Sequence, residues 1–276
     1  MHPRVLTTSV GITALAAALA VVLAQAPAGA QAPNAAANTK DFEFAALNNA
    51  ANYRKALLSE FAEFLKGDVV EVGAGIGQIT EPLSRMSAVK RVIAVEPDPE
   101  FCAQHRTQFP SHHLIEGTAK DLPPNQDWDA VLSVNVLEHI GEHEAESKLY
   151  ARLLRKRQGY LCLFVPARPE IYSPIDKDFG HFRRYRRKDL QSLLQRAGFE
   201  ITRLCYFNFV GYFAWWLNFC LLEKRYFEAA KVLFFDRAIF PLVHALERGI
   251  CRPPFGQSLL AVGQSTGTGF EKTRIG

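Results

Sequence analysis

The chain has 276 residues, 48% of them hydrophobic and 22% charged, which excludes a wholly disordered polymer and allows one large or two small domains. Its 18 glycines keep no Gly-X-Y period, and a net charge of +4 is too weak to imply nucleic acid, although it suits an anionic lipid or a phosphorylated substrate. Five cysteines, odd in number and never in C-x-x-C spacing, indicate free thiols rather than a disulfide framework or a Cys-type zinc site.

Residues 1–40 carry no acidic side chain. Arg4 precedes an apolar run from Val5 to Ala24, and Ala28-Gly29-Ala30 follows, as a secretory signal peptide requires. The run, about 20 residues long, fits an uncleaved anchor equally well. An extension irrelevant to the fold is the competing reading, and Gln25 to Asn38 reads as flexible linker. The rest divides into a core over 41–206, a hydrophobic helical insertion over 207–257, and a last strand with its tail over 258–276.

Apolar residues at helical spacing predict a helix over Asn48–Lys66, closed by Gly67. Val69–Val72 is a short β-branched strand leading into Gly73-Ala74-Gly75-Ile76-Gly77, with a helix from Gln78 that turns Ile79, Leu83 and Met86 inward. Val92–Val95 is the second strand, and Pro97-Asp98-Pro99 opens a helix with proline near its start. Strands are predicted at His113–Glu116, Ala130–Val134 and Tyr160–Val165. Between the last two, a helix carries Leu149, Leu153 and Leu154 and ends in cations that suit its dipole. A helix over Asp189–Ala197, a strand over Glu200–Tyr206 and a final strand over Ser258–Val262 complete the series. Strand–helix units of this length indicate a doubly wound α/β fold with a mostly parallel, seven-stranded sheet.

The densest signal lies in Val69–Gly77. Glycines at a strand-to-helix turn permit positive φ and admit a ligand close to the main chain. In open α/β sheets, ligands bind beyond the carboxyl ends of the strands. A dinucleotide fingerprint needs G-x-G-x-x-G, but the third position holds Gln78; the chain instead has G-x-G-x-G with Glu71 two residues ahead. That disfavours a nicotinamide oxidoreductase. Glu96, closing the second strand, fills the place of the acid that holds ribose hydroxyls about 20 residues on.

In these residues the chain resembles the class I S-adenosylmethionine-dependent methyltransferases, over roughly Asn48 to Gly198 with the strand near Ser258 rejoining. The run from Glu71 to Gly77 is similar to that family's first motif, and Glu96 to its ribose-binding acid. Gly117-Thr118-Ala119-Lys120-Asp121-Leu122 resembles the segment bordering adenine. Val134-Asn135-Val136-Leu137-Glu138-His139-Ile140 resembles the branch containing ubiquinone-pathway O-methyltransferases. The resemblance implies S-adenosyl-L-methionine as cofactor, held by Glu71, Gly73, Gly75, Gly77, Glu96, Pro97, Thr118, Ala119, Asn135 and Val136. It implies methyl transfer to a small hydrophobic or lipid-linked acceptor, at oxygen before nitrogen or carbon. Many members carry Asp where this chain has Thr118, so adenine recognition falls to the Thr118 hydroxyl or the Ala119 main chain.

A sulfonium carries its own activation, so the protein must align the reacting atoms and exclude water. A hydroxyl acceptor also needs a base, for which His139 and His181 are the candidates, with a structural role competing at each. Arg183, Arg184 and Tyr185 follow the fifth strand within a basic run ending at Lys188. They are candidates for holding an anionic group beside the acceptor, against the plainer reading of a solvated charged face. His139 and His143 stand at i, i+4 without the H-E-x-x-H order, so no metal is expected.

The insertion over 207–257 separates two strands that commonly form a hairpin in the fold the resemblance implies. Its aromatic residues and scattered cations predict a helical cap over the acceptor side, suited to a lipid-like substrate or to peripheral membrane contact. A homodimer interface is the alternative. The stretch Leu204–Leu222 barely reaches spanning length and reads as a surface-lying or substrate-covering helix, with an ordinary buried helix competing. No nucleic acid partner is expected. A cytosolic methyl donor conflicts with the export-like leader. A cytoplasmic domain loosely attached to membrane is the favoured reading, because more residues point to the cofactor than to export, and the signal-like segment leaves export open. A non-catalytic, membrane-associated binding module that keeps the fold is the alternative function.

Overall fold

The computed structural model describes residues 50–225, 229–249 and 253–267, so the leader read from residues 1–40 lies outside the described residues. The strands are β1 (Gly67–Val72), β2 (Val89–Glu96), β3 (His113–Glu116), β4 (Ala130–Val134), β5 (Tyr160–Pro166), β6 (Phe199–Phe207) and β7 (Ser258–Ser265). They form one sheet in the order β3-β2-β1-β4-β5-β7-β6. Every neighbouring pair is parallel except those of β7, which runs antiparallel between β5 and β6. The predicted doubly wound, mostly parallel sheet is the observed one.

Within β5, Leu161, Leu163 and Val165 enter one core layer while Cys162 and Phe164 enter the other, all of them buried. A strand covered on both faces has no polar side, which is why its sequence is a continuous apolar run. One layer is completed by α4 (His143–Leu154) and α6 (Arg187–Ala197) through Leu154, Leu190 and Leu194. The other is completed by α1 (Ala51–Phe61) and α2 (Thr80–Ser84) through Leu57, Phe61 and Leu83. Helix α3 (Pro99–Gln108) starts where its sequence dictates: Pro99 takes the first position and the Asp98 carboxylate accepts the Glu100 N–H at 3.0 Å.

Several boundaries differ from expectation, most of them strand ends longer by a few residues. Helix α1 stops at Phe61, and Phe64 and Leu65 stay buried in an irregular turn beyond it. Gly67 caps no helix; it opens β1 at φ 68°, where a Cβ would lie 2.1 Å from Asp129 Oδ2. Helix α2 begins at Thr80, two residues later than Gln78, and is only five residues long.

The insertion consists of α7 (Phe209–Trp215) widening into a π turn over Trp216–Leu221, then α8 (Ala229–Phe234), a second π turn over Phe235–Ile239, and α9 (Phe240–Gly249). It packs at two places. Trp215 and Phe219 meet Ile171, Ile175 and Phe179 of the segment after β5. Phe240 enters the core layer of α1, and the Asp236 carboxylate accepts the N–H groups of Asn52 (3.0 Å) and Tyr53 (2.8 Å). That remote carboxylate caps α1, whose own N-cap residue, Ala50, offers no side-chain acceptor. The apolar stretch Leu204–Leu222 is therefore not one helix. Its first four residues end β6; Asn208, at φ 60°, breaks the strand and its side chain accepts the Gly211 N–H at 3.0 Å to start α7. Among the described residues no helix is long and apolar enough to cross a membrane. The four described cysteines, Cys102, Cys162, Cys205 and Cys220, are free thiols.

Candidate active site

Parallel register, rather than proximity in sequence, assembles the site. Val72 pairs with Val95 on one side and Ser133 on the other, and Glu96 pairs with Glu116. Gly73, Glu96, Gly117-Thr118 and Asn135 therefore leave the sheet side by side at its carboxyl edge. The sheet order reverses at β1, between β2 and β4, and such a switch point is where open α/β sheets take ligands.

Gly73, Gly75 and Gly77 adopt φ of 73°, 53° and 91°, the left-handed region that favours glycine. A Cβ on Gly73 would lie 2.3 Å from Val136 Cγ2, and one on Gly77 would lie 2.7 Å from the Phe109 ring. The loop is tied to its neighbour by Gly73 N–H and Ala74 N–H, which donate to the Val95 carbonyl at 2.8 and 3.0 Å. Glu96 is buried and turned into this loop: Oε2 accepts the Gly75 N–H at 2.8 Å and Oε1 accepts the Asp98 N–H at 2.9 Å. Pro97 lies exposed beside it.

Glu71 is buried beneath the loop. Burial pushes its carboxyl up to about 8, the Thr80 hydroxyl pulls it back, and the charge of Glu96 adds to the rise. It holds a proton at neutral pH, and a cation arriving nearby would favour its ionised form. The Thr118 hydroxyl is committed to a local cap, donating to Asp121 Oδ2 at 3.0 Å and receiving the Lys120 N–H at 3.4 Å. Of the two adenine partners read from the sequence, the Ala119 main chain is thus the less encumbered. Asn135 stands at φ 53°, its N–H donating to the Phe164 carbonyl at 2.9 Å, and Val136 follows against Gly73.

The other side of the site is built by the segments after β4 and β5. Ser173-Pro174-Ile175-Asp176 is a capping box that starts α5 (Pro174–Asp178). Asp176 is fully buried and accepts from Ser173 N–H (2.9 Å), Ser173 Oγ–H (3.0 Å), His181 Nδ1 (3.0 Å) and Arg184 Nε (2.8 Å). Burial alone would raise its carboxyl, but the His181 hydrogen bond and the Arg184 charge outweigh it and hold the group below its ordinary value. His139 is half-buried, with its ring 4.6 Å from that of His181 at 81°. One ligand atom each from Glu138, His139 and His181 lies within 4.8 Å of the others, a set able to hold a metal ion. By sequence, His139 is weighed only with His143 and no metal is expected. In the fold His143 Nδ1 turns to the Tyr185 hydroxyl at 3.0 Å.

The trio expected to bind an anion does different work. Arg184 is buried, paired with Asp176, donating to the Ala167 carbonyl at 3.2 Å and lying 4.3 Å over the Trp215 ring. Tyr185 is buried and its hydroxyl donates to the Leu137 carbonyl at 3.1 Å. Arg183 donates to the carbonyls of Ile140 (2.7 Å) and Gly141 (3.0 Å). All three fasten the segment after β5 to its surroundings, and the exposed cations of the run are Arg186, Arg187 and Lys188. No role was read from sequence for Asp176, for Trp215 or, within the Val134–Ile140 run, for Glu138. The S-x-x-D box could have flagged Asp176, whereas nothing local marks Trp215.

A family model described as a methyltransferase domain matches residues 45–204. Over 91 residues the chain is 31% identical to a ubiquinone biosynthesis O-methyltransferase of Bradyrhizobium diazoefficiens, covering 32% of this chain and 35% of that protein. Over 122 residues it is 32% identical to a ribosomal RNA small subunit methyltransferase A of Haloarcula marismortui, covering 41% and 39% respectively. The chain spans about a third of the length of the curated relatives it matches. Among solved structures it is similar to a SAM-dependent methyltransferase of Thermotoga maritima at TM-score 0.53 and 21% identity, covering 82% of this chain and 96% of that one. At that identity the likeness is one of fold.

Proposed function

The chain belongs to the methyltransferase-domain family of class I S-adenosylmethionine-dependent enzymes, and from that premise we propose that it methylates a hydroxyl of a small, hydrophobic or lipid-linked acceptor. One observation carries the reading: Glu96 and the three-glycine loop are hydrogen-bonded to each other at the switch point of the sheet. The residues present fit the cofactor. The left-handed glycines would admit its amino-acid end to the main chain, Glu96 would take the ribose hydroxyls, and the Ala119 main chain would border adenine. When bound, S-adenosylmethionine supplies a methyl group already activated on a sulfonium.

The chain's own residues then align the acceptor, exclude water and remove its proton. His139, at the half-buried edge of the Glu138–His139–His181 cluster, is our candidate to accept that proton as the new carbon–oxygen bond forms. The names of two relatives support oxygen as the methylated atom. The aromatic insertion supports an apolar acceptor, and Trp216, Leu221 and Leu222 are exposed on it, as peripheral membrane contact would require. The ribosomal RNA relative favours a nucleic acid acceptor instead, but a net charge of +4 supplies little of the phosphate attraction that such binding needs.

Two measurements test the proposal. Calorimetry of the full chain with S-adenosylhomocysteine is expected to give micromolar binding, and Glu96→Ala to weaken it by roughly 10- to 100-fold, the worth of one or two hydrogen bonds to a charged group. Methyl-labelled donor incubated with the chain and a total cell lipid extract is expected to yield a labelled ether. No binding at millimolar ligand would end the assignment, and label entering RNA in a parallel incubation with total cell RNA, but not lipid, would replace the acceptor.

A further inference from the structure

The surroundings of Asp176 determine how His181 is protonated. Both oxygens of this fully buried carboxylate face two donors each: Oδ1 meets His181 Nδ1 and Arg184 Nε, and Oδ2 meets the Ser173 N–H and Oγ–H. An ionised carboxylate is acceptor-only and offers about four lone-pair sites, so His181 meets it with a proton on Nδ1. The other nitrogen, Nε2, belongs to a ring that shares a cluster with Glu138 and His139.

Asp176 is itself held by the insertion. Arg184, its ion-pair partner, lies 4.3 Å over the Trp215 ring. The Trp215 indole N–H faces the Ile171 carbonyl at 3.1 Å and Ser173 Oγ at 3.3 Å, the latter in the same residue that donates twice to Asp176.

We propose that Asp176 is a positioning residue: it fixes His181 as the Nδ1–H tautomer, and α7 of the insertion holds it in place through Trp215 and Arg184. The Nε2 lone pair of His181 then supports His139 in taking the acceptor's proton, so the insertion takes part in the chemistry through this chain of contacts and is more than a cover. The inference rests on the methyltransferase reading for its purpose, but its geometry can be tested without any acceptor.

The test is long-range proton–nitrogen NMR on the full chain labelled with 15N in the histidine rings, with the His181 signals assigned by their disappearance in His181→Gln. A protonated Nδ1 and an unprotonated Nε2 at pH 8 are expected. The opposite tautomer, an equal mixture, or a ring protonated at both nitrogens overturns the proposal. Asp176→Asn gives the second arm. An amide turned either way presents N–H to a donor, so the tautomer preference is expected to be lost. Labelled ether formed from the lipid extract should fall at least tenfold, with S-adenosylhomocysteine affinity within twofold of wild type. Retention of the Nδ1–H tautomer and of full turnover in a folded Asp176→Asn would also overturn it. If that variant does not fold, the wild-type spectrum still decides. Absent S-adenosylhomocysteine binding with the expected tautomer would instead fault the enzyme assignment and leave the positioning intact.

Discussion

Glu71 and Asp176 are two buried carboxyls with opposite consequences for stability. Glu71 sits at about 8 against an ordinary 4.5, so the folded chain retains a proton that the unfolded chain releases. Stability therefore falls as pH rises from 4.5 to 8, by about 1.4 kcal/mol for each unit at most, and is level beyond. Glu71→Gln removes that slope. Its melting temperature is expected to exceed that of the wild type by a margin that widens from pH 5 to pH 8, and thermal denaturation across that range checks it. Asp176 is depressed, so its contribution is present above the ordinary carboxylate value of 3.8 and is lost as pH falls through the lower folded value. At Gly73, alanine would face both an unfavourable φ of 73° and a Val136 methyl 2.3 Å away. Gly73→Ala is expected to abolish S-adenosylhomocysteine binding and to lower stability by about 1–3 kcal/mol. The glycines and Glu96 were legible because backbone freedom and a strand-end acid leave a local mark. The inward turn of Arg184 and Tyr185 was not legible, because a basic run looks the same in sequence whether its members face solvent or a buried carboxylate.

Among the elements, α1 shows how far a helix can depend on a distant residue. Its amino end is satisfied by Asp236, from the insertion, through the N–H groups of Asn52 and Tyr53. Asp236→Ala is expected to cost about 1–2 kcal/mol, the worth of a good N-cap, and to lower the melting temperature by a few degrees, as denaturant unfolding and calorimetry would show. Asp98, by contrast, caps α3 from the adjacent position, and its helix start could be read directly from Pro97-Asp98-Pro99. The strands were legible nearly to the residue at β3 and β4, where β-branched and apolar runs end in turn residues. The end of α1 was not, since Phe64 and Leu65 continue the apolar pattern after the helix has ended at Phe61.

For the whole molecule, the insertion completes two buried surfaces rather than lying over a finished domain. Phe240 fills the layer beneath α1, and Trp215 with Phe219 closes a separate cluster against the segment after β5. Replacing residues 209–256 by a short flexible linker is therefore expected to give a chain that neither melts cooperatively nor binds S-adenosylhomocysteine. A detachable cap would leave both properties intact. The alternation of strands and helices, the glycine turn and the acid closing the second strand are determined by the sequence itself, because periodicity, φ preference and strand-end chemistry act over a few neighbouring residues. The four-donor enclosure of Asp176, the meeting of His139 with His181, and the capping of α1 by Asp236 were decided only in the tertiary structure. The last two join segments far apart in the chain, which only sheet register and the packing of the insertion bring together. The donors to Asp176 all lie within residues 173–184, and it is the fold of that short segment against Trp215 that turns them onto one carboxylate.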